Sequence, residues 1–122
     1  MPLIKPTRLR SSRPRDWLLF LVCRRRRFRV TGRSMLPLLF PGQEVLVDPT
    51  AYRRPTGAPR LGDLVIAYHP YRPGLRLIKY VAWHTEAGYF LQGLNPAESS
   101  DSREFGPVTR EHLLGQVVCR FP

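Results

Sequence analysis

The chain is poor in the residues that usually mark a metal centre or a disulfide scaffold. Among 122 residues there are two cysteines, Cys23 and Cys119, far apart and without metal-type spacing. Two free thiols in a reducing compartment are the expected state. The three histidines, His69, His84 and His112, fall in no H-x-x-x-H or H-E-x-x-H pattern. They are expected at the surface or as caps, and no metal or other cofactor is expected. Long apolar runs are also missing. The longest early one, Trp17 to Cys23, has seven residues, whereas a membrane span takes about 20. It is a poor secretory signal too, because Arg24-Arg25-Arg26-Arg27 follows where a small-residue cleavage site belongs. This run is expected to pack on the body as a short helix or strand. The other reading is a peripheral membrane contact, with apolar residues dipping in and arginines meeting headgroups. The expected location is cytoplasmic, with or without such a contact.

Acidic residues are scarce, and unevenly so. Residues 1–33 hold 11 of the 20 Lys+Arg and a single acid, Asp16, a balance of +10; residues 34–122 are close to neutral at +1. An anionic partner therefore meets the N-terminal segment first. The domain reading follows: a basic arm over 1–27, partly disordered or peripheral, and one folded domain over 28–122. Within the arm, residues 1–15 are expected to be loosely attached.

Thirteen prolines and nine glycines exclude long helices and favour short strands between turns. Phe28–Thr31 reads as a first strand, Glu44–Asp48 as a second and Asp63–Tyr68 as a third, nearly all apolar. Leu75–Trp83 is the longest strand candidate, with Tyr89–Gln92 as its shorter partner and Gly115–Phe121 as the last strand. Residues 49–62 and 93–106 read as loops. Thr109 is expected to cap a helical turn through His112. The fold class is mainly β, a small barrel or coiled sheet with little helix.

Two residues carry chemistry. Alternation along the fourth strand places Lys79 on one face with Leu75, Leu77, Val81 and Trp83, and Arg76, Ile78, Tyr80 and Ala82 on the other. A lysine on such a face either snorkels to water or is buried, loses hydration and becomes a base near neutral pH. Ser34, in Gly32-Arg33-Ser34-Met35-Leu36-Pro37, is a nucleophile only if a base takes its proton. No G-x-S-x-G elbow is present, and the third residue after Ser34 is Pro37 rather than lysine. A Ser-Lys pair drawn from separate strands remains.

The quoted segments carry a resemblance. "GRSMLPLL" resembles the nucleophile box of signal peptidase I and its relatives. "LRLIKYVAW" resembles their lysine box, and "GLNPAESSDSREFG" their late serine–aspartate–arginine box. "RLGDLVIAY", through Gly62 and Asp63, fits the strand between. The resemblance implies a sheet or barrel of the signal peptidase/LexA-like type. It implies Ser34 as nucleophile, Lys79 as general base and Ser99 as the hydroxyl that orients the lysine. Asp101 and Arg103 match the pair that braces the loop, and Met35 either lines the cleft or packs in the core. Where some relatives place an oxyanion serine, this chain has Gly32, so the backbone N–H of Ser34 carries more of that work. Leu94 stands where aspartate is common.

Lacking room for an inserted second domain, the chain looks most similar to the nickel-type superoxide dismutase maturation proteases. These remove a propeptide, and the metal belongs to their substrate. The implied partner is a precursor polypeptide. An anionic membrane touched by the basic arm is a further partner, and nucleic acid is not expected. Two alternatives differ in kind: a compact signal-peptidase-like enzyme held at a membrane, and a non-catalytic β module whose arm binds nucleic acid or lipid.

Overall fold

The computed structural model describes residue 6 and residues 8–121. It contains one open antiparallel sheet of six strands in the order β1-β2-β6-β3-β4-β5. The strands are β1 (Arg26–Arg29), β2 (Glu44–Asp48), β3 (Leu64–Tyr68), β4 (Arg76–Thr85), β5 (Gly88–Gln92) and β6 (Leu113–Phe121). The helices are short: α1 (Pro14–Leu21), α2 (Ser102–Phe105) and two single 3₁₀ turns, Pro96–Glu98 and Arg110–His112. The mainly β expectation holds, and of its two forms the chain adopts the sheet, with β1 and β5 as edges. The Pro/Gly-rich loop of residues 49–62 is tied down by Tyr52, whose hydroxyl donates to Asp63 (2.9 Å).

Both faces of the sheet are covered. The larger cluster holds Val30, Met35, Leu39, Val45, Leu64, Ile66, Ile78, Tyr80 and Ala82, among others. A second, on the opposite face of β3 and β4, holds Tyr52, Val65, Ala67, Val81, Leu91 and Leu113. Lys79 lies opposite Val65 in the β3–β4 register and shares its face with Val81. Trp83 does not join them. The β4–β5 pairing shifts register between Val81 and Trp83, and this irregularity turns Trp83 toward the larger cluster. The apolar surroundings expected for Lys79 are therefore present, built from Val65 and Val81 and without Trp83.

The N-terminal segment is more firmly attached than its composition suggests. Of residues 1–15, expected to be loose, 1–5 and 7 lie outside the described residues. Much of the rest is fastened. Leu9 is core, Ser11 bridges Arg120, and Arg120 Nη1 donates to the Leu9 carbonyl. Asp16 is 3% exposed; it accepts from Arg10 and from the Arg13 N–H (2.7 Å). The run Trp17–Cys23 begins within α1, and Trp17 and Phe20 lie against Phe121 (4.7 and 5.1 Å between centroids). β1 starts at Arg26, inside the span expected as arm, because Arg26 and Arg27 pair with Val47 and Leu46. His69 corrects a second expectation. It is buried rather than superficial, packed on Phe105 (4.7 Å), and its Nδ1 accepts from the Tyr71 N–H (3.0 Å). Both cysteines are free, Cys23 exposed and Cys119 buried.

Candidate active site

β4 delivers Lys79 from the middle of the sheet, where the side chain is only 2% exposed. Burial strips the ammonium of hydration and pulls the pKa down to about 8; Asp101 opposes that fall and Arg103 adds to it. A minor fraction of the amine, about a tenth at pH 7, is therefore neutral, far more than for a free lysine.

The lysine is aimed by the loop that follows β5. Lys79 Nζ donates to Ser99 Oγ (3.1 Å), and Ser99 Oγ donates to Asp101 Oδ2 (2.7 Å). A hydroxyl has one proton. With that proton committed to Asp101, the Ser99 oxygen faces the amine as an acceptor. The amine is thus gripped by one of its N–H bonds, which leaves its lone pair free when it is neutral.

Asp101 is the hub of the loop and is 1% exposed. Its carboxylate accepts from the Gly93 N–H (2.9 Å), from Ser99, and from Arg103 through the backbone N–H and Nε (both 3.0 Å) as well as Nη2. Burial pushes its pKa up. The hydrogen bonds from Arg103, Gly93 and Ser99 together outweigh burial and hold the carboxyl below its usual range. Asp101 also caps α2, and Arg103 Nη2 reaches the Gly93 carbonyl (3.2 Å). Ser102 Oγ accepts from the Leu91 N–H (2.8 Å), fixing the same loop to β5.

Ser34 comes from the turn between β1 and β2. Gly32, at φ +75°, sets the direction of the chain two residues earlier, in the region that favours glycine. Met35, next to the serine, is fully buried in the larger cluster. Of its two expected places, the structure gives it the core, where it anchors the turn. Asn95 stitches this turn to the loop after β5: its N–H donates to the Ser34 carbonyl (2.8 Å) and its Nδ2 to the Arg33 carbonyl (3.1 Å). Among the described residues, neither the N–H nor the Oγ of Ser34 is engaged in a hydrogen bond.

Gly93, the first residue of the quoted serine–aspartate–arginine segment and given no structural role there, is the pivot of the site. It lies one residue beyond the Tyr80–Gln92 pair, alongside Lys79. A Cβ there would meet Ser99 Oγ at 2.4 Å and the Ser34 carbonyl oxygen at 2.8 Å. The absent side chain is what lets both serines close on one point of the sheet edge. Asn95 lies in the same segment, and its contact with the Ser34 turn was not foreseen. The available signal was a glycine ending a strand, followed two residues later by a residue with both a backbone and a side-chain donor.

The structure thus brings Lys79, Ser99, Asp101, Arg103 and Gly93 into one hydrogen-bonded cluster and ties the Ser34 turn to it through the backbone. A hydrogen bond between Ser34 Oγ and Lys79 Nζ is not among those formed. Such contacts are commonly long without substrate and tighten in the Michaelis complex.

Residues 85–121 match the family model of signal peptidase, peptidase S26. The matched stretch includes Ser99, Asp101 and Arg103, and begins after Ser34 and Lys79. It supports a signal-peptidase-like serine peptidase. No curated protein matches the chain.

Proposed function

We propose, proceeding from that match and from the lysine's surroundings, that the chain is a serine endopeptidase working through Ser34 and Lys79. The observation that carries the reading is Lys79 itself, buried, shifted to a pKa of about 8 and gripped by Ser99. A lysine kept for charge or solubility has no reason to be dehydrated in this way.

Lys79 takes the Oγ proton as Ser34 attacks the scissile carbonyl carbon. A C–O bond forms, and the carbonyl oxygen becomes an oxyanion facing the N–H of Ser34. As the C–N bond breaks, the lysine ammonium gives its proton to the leaving amine. Lys79, neutral again, removes a proton from water, which attacks the acyl-enzyme and releases Ser34. Ser99 holds the amine throughout, and the Asp101–Arg103 pair holds Ser99. With Gly32 lacking a hydroxyl, the backbone supplies the oxyanion donors.

The substrate we infer is a precursor polypeptide from which an N-terminal propeptide or signal-type segment is removed. The specific candidate is the precursor of a nickel superoxide dismutase. The similarity of "VTGRSMLPLLFPGQEVLVD" and "QGLNPAESSDSR" to the maturation proteases of that enzyme supports it. Nickel in this scheme belongs to the product.

Co-expression of such a precursor with the wild-type chain, with Ser34→Ala or with Lys79→Ala tests the assignment. Processing is expected with the wild type alone. Processing that persists with both variants ends the peptidase reading and leaves a non-catalytic β module.

A further inference from the structure

Helix α1 packs Trp17 and Phe20 on Phe121 yet keeps a second apolar stripe on its outer side. Helical spacing sets Leu18, Leu21 and Val22 on one stripe, and that stripe faces outward: they are 61%, 72% and 54% exposed. The helix's single acid, Asp16, points inward and is neutralised by Arg10. The outer surface around α1 consequently shows apolar side chains and arginines with no exposed acid of its own segment.

Beside this stripe lies a hollow of about 310 Å³ lined by Arg15, Leu19, Arg24, Arg25, Thr50 and Arg54, among others. Four guanidiniums share the hollow with one neighbouring carboxylate, Asp48, which pairs loosely with Arg25 (3.7 Å) and Arg54 (3.6 Å). Asp48 also commits one oxygen to the Thr50 N–H and hydroxyl (both 3.0 Å). Arg15 and Arg24 have no carboxylate partner among the described residues. Arg25 Nε is buried without a hydrogen-bond partner. Such a donor set is short of anionic oxygen.

We propose that α1 and this hollow form a docking surface for an anionic lipid bilayer. Leu18, Leu21 and Val22 enter the headgroup–acyl boundary, and the arginine hollow takes a lipid phosphate. Apolar residues exposed beside unpaired arginines fit a surface that offers hydrocarbon and phosphate within a few ångströms of each other, as nucleic acid or a free anion does not. No helix among the described residues is long and apolar enough to cross a membrane, so the contact is interfacial. None of these residues belongs to the Ser34–Lys79 cluster, and the inference stands apart from the peptidase reading.

Co-sedimentation of the full chain with phosphatidylcholine vesicles, with and without about 30% phosphatidylglycerol, tests it. The wild type is expected on the anionic vesicles and in the supernatant with the neutral ones. Leu18→Glu/Leu21→Glu and, separately, Arg15→Gln/Arg24→Gln are each expected to weaken vesicle binding by at least about tenfold, without change in circular dichroism. Where the leucine pair disturbs the fold, Leu21→Glu alone serves, being the most exposed of the three. Anionic-vesicle binding unchanged by the leucine substitutions overturns the proposal, as does equal binding to neutral vesicles. Inorganic phosphate that strips the wild type at an ionic strength matched with chloride points to a free-anion site and overturns it too.

Discussion

On the proposed mechanism, Lys79 is the residue on which stability and function pull apart. Its folded pKa, about 8, lies below its ordinary value of 10.5. Between these two values the unfolded chain binds more protons than the folded one, so stability rises with pH across that window. Below about pH 8 the whole penalty of burying the ammonium is present. Lys79→Met keeps the length of the side chain and removes the charge. It is expected to stabilise the fold at neutral pH by about 1–3 kcal/mol and to abolish cleavage, the usual exchange at an active site. Urea titrations of both proteins across the window check this. The stabilising increment is expected to shrink toward pH 10.5, and a loss of stability in the variant at pH 7 would contradict the account. The burial and the fall in pKa were among the expectations; the neighbours that produce them were only partly legible. Alternation placed Lys79 on an apolar face but counted Trp83 among its neighbours. The register shift that turns Trp83 away depends on how β5 pairs, and a strand read alone does not contain its partner. His69 was misjudged for a similar reason, since Phe105, which covers it, is 36 residues away in the chain.

At the scale of elements, strands bounded by strong turn residues were readable and those decided by pairing were less so. β2 runs from Glu44 to Asp48 as expected, because Gly42 and Pro49 bracket it. β4 continues two residues beyond Trp83, where His84 and Thr85 find Tyr89 and Gly88 across the hairpin. The loop of residues 93–106 was recognised as polar, but not as two helical turns wound around one carboxylate. Its working part is the junction with the Ser34 turn, and that junction depends on Gly93. Gly93→Ala drives a methyl into Ser99 Oγ and the Ser34 carbonyl. Neither is the free end of a long side chain, so the two elements must separate. The variant is expected to lose at least about tenfold in kcat/KM and to fall in Tm. Wild-type activity in the Gly93→Ala variant would mean that the two elements need not meet.

The whole molecule separates its charge from its chemistry. The positive excess lies in residues 1–33, and the Lys79–Ser99–Asp101 cluster, with the Ser34 turn tied to its loop, belongs to a nearly neutral body. The arm's composition was plain in the sequence. Its attachment was not, because the residues that hold it, Phe121, Arg120 and Leu46, come from β6 and β2 and carry no local sign of what they bind. The fold class was legible from turn spacing alone. The site was legible in parts: Ser34 and the serine–aspartate–arginine loop from their motifs, and Lys79 from its face. What ties the Ser34 turn to that loop is a glycine without a side chain and an asparagine's backbone N–H, which only the folded sheet brings together.

On the proposed mechanism a dehydrated lysine is the base. The pH dependence of kcat/KM on a soluble peptide substrate tests it most directly. The rate is expected to rise about tenfold per pH unit and to level off near the Lys79 pKa of about 8. A rate that stays flat between about pH 5 and about pH 9 would contradict it.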